Sequence, residues 1–312
     1  VRRVVPFILV LALVIVAGYF FLPRLSPGQY IYDVDQPGND LACAGEVQFA
    51  VIGDFGEAGR PEEDVAALID GWQPDFIVTV GDNNYPGGSA ETIDANIGQY
   101  YGDYISPYFG QYGPGAGENR FFPVLGNHDW RAATHTYPYP QPYLDYFSLP
   151  GNERYYDVRI GPVHLFILDS DQNEPDGRTT DSIQAQWLAA QMEASDAPWK
   201  LVVLHEAPYS SGTKHGSNPQ VQWEYATMGA AAVLSGHEHL YERVQRDGIP
   251  YIVNGLGGRQ RIYPFGAPIE GSAVRYNQDY GAMSVSAAND CLNFSFYNRS
   301  GTLIDSETIV TE

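Results

Sequence analysis

Residues 76–85 read Phe-Ile-Val-Thr-Val-Gly-Asp-Asn-Asn-Tyr. The run of apolar and β-branched residues predicts a buried strand over 76–80, and Gly81-Asp82 predicts the turn that ends it. The same design recurs at 47–54, Val-Gln-Phe-Ala-Val-Ile-Gly-Asp, and at 121–129, Phe-Phe-Pro-Val-Leu-Gly-Asn-His-Asp, predicting strands over 47–52 and 121–125. Runs at 163–168, 201–204 and 231–234 predict three more, the last two stopping at His205 and at Ser235-Gly236-His237. Helices are predicted between them. Residues 61–72 have Pro at the first position, Glu62 and Glu63 in the first turn, and Val65, Leu68, Ile69 and Trp72 on one face. Residues 181–195 carry Ile183, Trp187, Leu188 and Met192. Short alternating runs at 251–254, 283–287, 292–296 and 303–310 predict further strands. This β-α-β order followed by a β-rich third predicts an α/β domain with mixed sheets.

Five of these strand runs end in polar side chains that can hold metals: Asp54; Asp82 with Tyr85; Asn127, His128 and Asp129; His205; and His237 with His239. Singly, each has an ordinary explanation, since Gly-Asp turns are common and a lone histidine is usually a hydrogen-bonded core residue. Together they fall where open α/β sheets bind ligands, at the carboxyl ends of strands. His237 and His239, two apart on one turn, can aim at one point. Of the seven histidines, five (128, 205, 215, 237 and 239) fall at or near strand ends, while His135 and His164 do not. Carboxylates, an amide, a phenol and imidazoles suit a pair of first-row metals, with no cysteine nearby for a thiolate site. Two adjacent cations need a bridging carboxylate, and Asp82 sits in the middle of the set.

The charge balance narrows the partners. With 38 acidic against 17 basic residues the net charge is −21, which argues against nucleic acid, because phosphate backbones are held by Lys and Arg. An anionic substrate would then need a locally positive site made by bound cations.

Residues 4–22 carry no charge and follow Arg2 and Arg3. The length suits a spanning helix with the arginines on the cytoplasmic side. A cleaved signal peptide is the competing reading, but the flank Gly18-Tyr-Phe-Phe-Leu-Pro23 is bulky and no A-x-A site follows. The expected organisation is a signal anchor or transmembrane segment at 1–24, a Pro- and Gly-rich linker at 25–45, and one domain at 46–312, extracytoplasmic and either membrane-anchored or secreted. In an oxidising compartment Cys43 and Cys291 form one bridge; two buried thiols is the alternative. The segment Tyr137-Pro-Tyr-Pro-Gln-Pro-Tyr143 is rigid and aromatic and is expected to pack against the domain.

In order, Asp54-x-Gly56, Gly81-Asp82-x-x-Tyr85, Gly126-Asn127-His128-Asp129, Val202-x-x-His205 and Gly236-His237-x-His239 resemble the five-block signature of the purple acid phosphatases, within the calcineurin-like metallophosphoesterases. The resemblance spans about residues 47–241. It implies a four-layer α/β/β/α sandwich of two mixed sheets flanked by helices. It also implies ferric iron held by Asp54, Asp82, Tyr85 and His239, and a divalent iron, zinc or manganese held by Asp82, Asn127, His205 and His237. Phosphate monoesters would be hydrolysed by a metal-activated hydroxide; phosphodiester or nucleotide hydrolysis on the same dimetal centre is the alternative. His128 and His215 would contact the phosphate and protonate the leaving group. The wider superfamily usually carries a histidine at the position of Gly56, so Gly56 with Tyr85 points to the purple subgroup. Glu206 departs from the pattern, since many relatives have a second histidine there. A binding or scaffold protein on an inactive version of the fold would have lost ligands, and none is lost here.

Overall fold

The computed structural model describes residues 31–32, 43, 45–133 and 138–311. The leader expected at 1–24 and His135 lie outside these. Among the described residues no helix is long and apolar enough to cross a membrane.

Two seven-stranded mixed sheets form the centre. The first runs, edge to edge, β1 (Ile31–Tyr32), β14 (Leu303–Val310), β13 (Cys291–Asn298), β12 (Gly281–Ala287), β2 (Val47–Ile52), β3 (Phe76–Thr79) and β4 (Phe121–Phe122). The second runs β11 (Ser272–Tyr276), β9 (Tyr241–Arg246), β10 (Ile249–Asn254), β8 (Ala232–Gly236), β7 (Trp199–Glu206), β6 (Val163–Ile167) and β5 (Tyr156–Ile160). Strands β2, β3 and β4 are mutually parallel, as are β6, β7, β8 and β10. The carboxyl ends of each parallel set therefore lie on one edge of its sheet.

The two-residue period of each strand divides its side chains between two cores. From β2 and β3, Phe49, Val51, Phe76 and Val78 point between the sheets, where they meet Leu165, Leu201, Val203 and Leu234 from the facing sheet. Their neighbours Ala50, Ile52 and Ile77 point outward against Val65, Ala66 and Ile69 of the helix Arg60–Trp72. On the other side Phe166, Val202 and Val233 pack against Ala185, Leu188 and Met192 of the helix Ile183–Ala194. This is the four-layer α/β/β/α arrangement. Each fully buried Val, Leu, Ile or Phe contributes about 1.5–3 kcal/mol, and Leu201→Ala would cost about 2–5 kcal/mol. The helix Ile183–Ala194 starts where its cap allows: Ser182 Oγ accepts the Ala185 amide at 3.1 Å.

Several elements differ from the sequence reading. The strand expected over 121–125 is only Phe121–Phe122, because Pro123 has no N–H for the ladder. Ile31–Tyr32, inside the stretch expected as linker, pairs antiparallel with the open edge of β14. Strands β5, β9 and β11 were not expected. In β9 both faces are buried, Tyr241 and Val244 lying in apolar cores, and Arg243 is buried with them: its Nε lies 2.7 Å from Asp305 Oδ2, and its NH1 2.7 Å from Glu307 Oε2. These bonds let a charged side chain stand among apolar ones. Cys43 and Cys291 form a disulfide, closing a loop of 248 residues. From the aromatic segment, Tyr143 is buried, with its hydroxyl donating to Pro123 O at 2.8 Å, while Tyr139 stays exposed; Tyr137 lies outside the described residues.

Candidate metal centre

The carboxyl ends of β2, β3 and β4 from one sheet meet those of β7 and β8 from the other. Asp54 follows β2, Asp82 follows β3, Asn127 opens the short helix Asn127–Trp130 after β4, His205 lies near the end of β7, and His237 and His239 follow β8. Three of these residues hold left-handed backbone: Asp54 at φ 54°, Asp82 at φ 56° and His237 at φ 72°. Such conformations cost on the order of 1–3 kcal/mol each in a non-glycine residue and gather at functional sites. They are locked by cross-links between the turns. The Asp54 amide donates to Gly81 O at 3.0 Å, the His237 amide to Asp54 Oδ2 at 2.9 Å, and the His128 amide to Asp82 Oδ1 at 2.8 Å.

The side chains gather into two clusters that share Asp82. In the first, the Tyr85 hydroxyl lies 2.8 Å from Asp82 Oδ2, 3.2 Å from Asp54 Oδ1 and 3.2 Å from His239 Nε2. In the second, His205 Nε2 lies 3.4 Å from Asp82 Oδ1, 3.2 Å from Asn127 Oδ1 and 3.1 Å from His237 Nδ1. Two imidazoles are oriented from behind by backbone carbonyls: His205 Nδ1 sits 2.8 Å from Val80 O, and His239 Nδ1 2.6 Å from Arg261 O. With Nδ1 donating there, each Nε2 turns a lone pair inward, as metal-binding histidines do.

This donor set fits cations. Around His205 Nε2 lie Asp82 Oδ1, Asn127 Oδ1 and His237 Nδ1, so lone pairs converge on a gap that a proton or a metal ion can fill. Without a metal the proton does so. Burial disfavours a charged His205, but Asp82, Asp54 and the Val80 carbonyl prevail and push it up to about 9. Burial raises the Asp54 carboxyl, but His239, His205 and His237 outweigh it and hold it at about 2. Burial, with the charges of Asp82 and Asp54, raises the Tyr85 phenol well above its ordinary value, a balance that a cation beside it reverses. Ligand atoms of Asp54, Asp82 and His205 lie within 4.8 Å of one another, a possible metal site among the described residues.

Gly56 has a steric reason. A Cβ there would fall 1.8 Å from the Asn83 carbonyl oxygen, so this backbone admits no histidine at the position. The space beside Asp54 is filled by Tyr85 instead.

His128 sits at the rim, its ring 4.3 Å from that of Tyr85 and its Nε2 3.9 Å from Asp82 Oδ2. Burial lowers its pKa below the ordinary histidine value. The His215 ring lies against that of His237, 3.9 Å between centroids with the planes tilted by 35°, and burial, with Lys214 and His205, lowers its pKa to about 4. Beside this pair opens a cleft of about 370 Å³ lined by Glu206, Lys214, His215, Ser217 and Asn218. Glu206 is not a free charge: Arg178 NH1 lies 3.0 Å from both of its oxygens, and Asn218 Nδ2 also donates to it.

Other neighbours escaped the sequence reading. The Arg259 guanidinium lies 4.5 Å from the Tyr85 ring centre, and Tyr263 stacks on His239 at 4.2 Å. Both come from the irregular stretch after β10, where no periodicity marks them. Asp129 was seen but given no part. It is buried and accepts from the Gly126 amide at 2.8 Å and Asn83 Nδ2 at 2.9 Å, joining two of the site's turns. Burial, with Asp82 beside it, raises its carboxyl to about 7.

Residues 47–241 match the sequence profile of the calcineurin-like phosphoesterases. Purple acid phosphatase 17 of Arabidopsis thaliana is 25% identical over 254 residues, covering 69% of this chain and 69% of its own. A purple acid phosphatase from yellow lupin (Lupinus luteus) seeds superposes with a TM-score of 0.69 at 18% identity, over 84% of this chain and 53% of the lupin chain. GAP50, the anchor in the inner membrane complex of Plasmodium, superposes with a TM-score of 0.65 at 17% identity, over 85% of this chain and 89% of its own. With both mixed sheets, the flanking helices and the profile match in agreement, the chain belongs to the calcineurin-like phosphoesterase family.

Proposed function

We propose that this phosphoesterase hydrolyses phosphate monoesters at a dinuclear metal centre. In this reading Asp54, Asp82, Tyr85 and His239 hold a ferric ion, and Asp82, Asn127, His205 and His237 hold a divalent iron, zinc or manganese. Bound there, the metals supply Lewis acidity toward the phosphoryl oxygens and a water acidified to a pKa of about 7. The observation that carries the reading is the sharing of Asp82, whose two oxygens face the two donor clusters separately.

The chain's own groups do the rest. Asp54 and Asp82 bring negative charge that offsets the paired cations, and Val80 O and Arg261 O keep His205 and His239 aimed inward. His128 lies against Tyr85 and Asp82, and His215 against His237, and in this reading the two grip the phosphate. His215, at the mouth of the cleft, gives its proton to the oxygen of the departing alcohol. An anionic phosphoryl group beside it works against the burial that otherwise keeps this ring neutral. The likeness to GAP50 shows that the fold also occurs in a protein described as an anchor; the full donor set favours the enzyme. The disulfide supports an oxidising, extracytoplasmic location, in keeping with the apolar leader.

The experiment is a side-by-side assay of an aryl phosphomonoester and the corresponding bis-ester on protein loaded with iron and zinc. Turnover of the monoester at ten times the bis-ester rate or more is expected. A preference for the bis-ester would move the assignment to a phosphodiesterase on the same centre.

A further inference from the structure

Glu238 lies between His237 and His239, on the turn that leaves β8. It has no exposed surface, and the hydrogen bonds of its carboxylate run to the loop carrying His215. Its Oε1 accepts the backbone N–H of His215 at 2.5 Å and that of Gly216 at 2.6 Å. Successive amides folded around one anionic oxygen make a nest, and bonds to a charged acceptor are about twice as strong as neutral ones. The loop also closes on the carboxylate from its other side: a Cβ on Gly212 would stand 2.3 Å from the Glu238 carboxyl carbon. Glu242, on the next strand, holds the loop's first half, accepting from the Ser211 amide at 2.7 Å and Ser210 Oγ at 3.1 Å. The loop's far end is tied back by the Asn218 amide, which donates to Ala207 O at 2.9 Å.

We infer that Glu238 is the positioning residue of His215, fixing the loop that carries this histidine to the same turn that carries His237 and His239. The contact of His215 with His237 is then set by one turn: that turn supplies one ring directly and fixes the other through the carboxylate. Removing the carboxylate leaves two amides without a partner, at a cost of about 1–3 kcal/mol each where they remain buried. The loop can recover that cost only by opening to water, which carries His215 off the site. The inference rests on the reading of His215 as proton donor only for the sign of the kinetic effect.

The test compares Glu238→Ala, Glu238→Asp, Glu238→Gln, His215→Ala and the Glu238→Ala/His215→Ala double variant. The readouts are metal content, hydrogen exchange of the metal-free protein, and turnover of an alkyl and an activated aryl phosphomonoester. Glu238→Ala is expected to keep the wild-type metal content and to lose exchange protection at the His215 and Gly216 amides. It should slow the alkyl ester about 10- to 100-fold and the aryl ester less than about threefold, and the double variant should be no slower than His215→Ala alone. Glu238→Asp, too short to reach the loop, should behave as Glu238→Ala does if the latter fails to fold. Glu238→Gln keeps the acceptor oxygen and should stay within about threefold of wild type. Additive losses in the double variant, unchanged exchange at 215–216, or loss of metal on removing the carboxylate would each overturn the inference. Failure of the His215 reading looks different: His215→Ala would then slow both esters equally while non-additivity and exchange still report on Glu238.

Discussion

The Tyr85 hydroxyl lies 2.8 Å from Oδ2 of Asp82, three residues earlier on the same turn. A phenolate there is a hard, electron-rich donor suited to trivalent iron, and such a pair absorbs visible light by charge transfer. Iron-loaded protein should be purple to pink, and Tyr85→Phe should bleach it and weaken iron retention. Absorption spectra with iron analysis check this. A colourless wild type, fully active with two divalent ions, would place the chain outside the purple subgroup.

In the proposed mechanism His215 protonates the leaving oxygen, which matters most when the leaving alcohol is a poor one. His215→Ala should slow alkyl phosphates by about 10²–10⁴-fold and activated aryl phosphates far less. Equal losses measured on both esters would assign the ring to binding.

Glu62 is fully buried in the first turn of the helix Arg60–Trp72, and neither carboxyl oxygen has a hydrogen-bond partner among the described residues. Burial raises its pKa well above the ordinary value of 4.5. The folded protein therefore binds a proton that the unfolded chain releases above pH 4.5. The stability this gives is fully present below that pH and is lost as pH rises through the folded-state value. Glu62→Met should stabilise the protein at neutral pH by about 1–3 kcal/mol and flatten its stability above pH 4.5. Thermal melts across pH, wild type against variant, decide it; a destabilised variant would mean that the carboxyl is bonded after all.

The Cys43–Cys291 bridge ties the start of the domain to β13. The double variant Cys43→Ser/Cys291→Ser should lose about 2–5 kcal/mol while retaining metal binding at the candidate centre, whose residues lie on other strands. Denaturant unfolding and metal analysis read the two effects separately.

The centre was legible because Asp54, Asp82, Asn127, His205 and His237 each follow a recognisable apolar strand, most with a glycine between, so position in sequence translates directly into position on a sheet edge. The two sandwiched sheets followed from the resemblance rather than from periodicity. Periodicity failed at β9, where Arg243 is buried on the strength of Asp305 and Glu307, partners more than sixty residues away. Glu238 looked like a spacer between two histidines. Its significance depends on a loop some twenty residues earlier folding back onto it, which no local pattern encodes. Arg259 and Tyr263 were hidden for the same reason.

The shared carboxylate of Asp82 is the centre of the account, and metal stoichiometry measured with turnover tests it most directly. Wild-type protein purified without added metal and then loaded should hold two metal ions per chain and hydrolyse an aryl phosphomonoester. Asp82→Ala should hold fewer than two and lose activity by about 10³-fold or more, since a bridging ligand supports both ions. Two ions retained in Asp82→Ala, or near-normal turnover without them, would contradict the dinuclear centre.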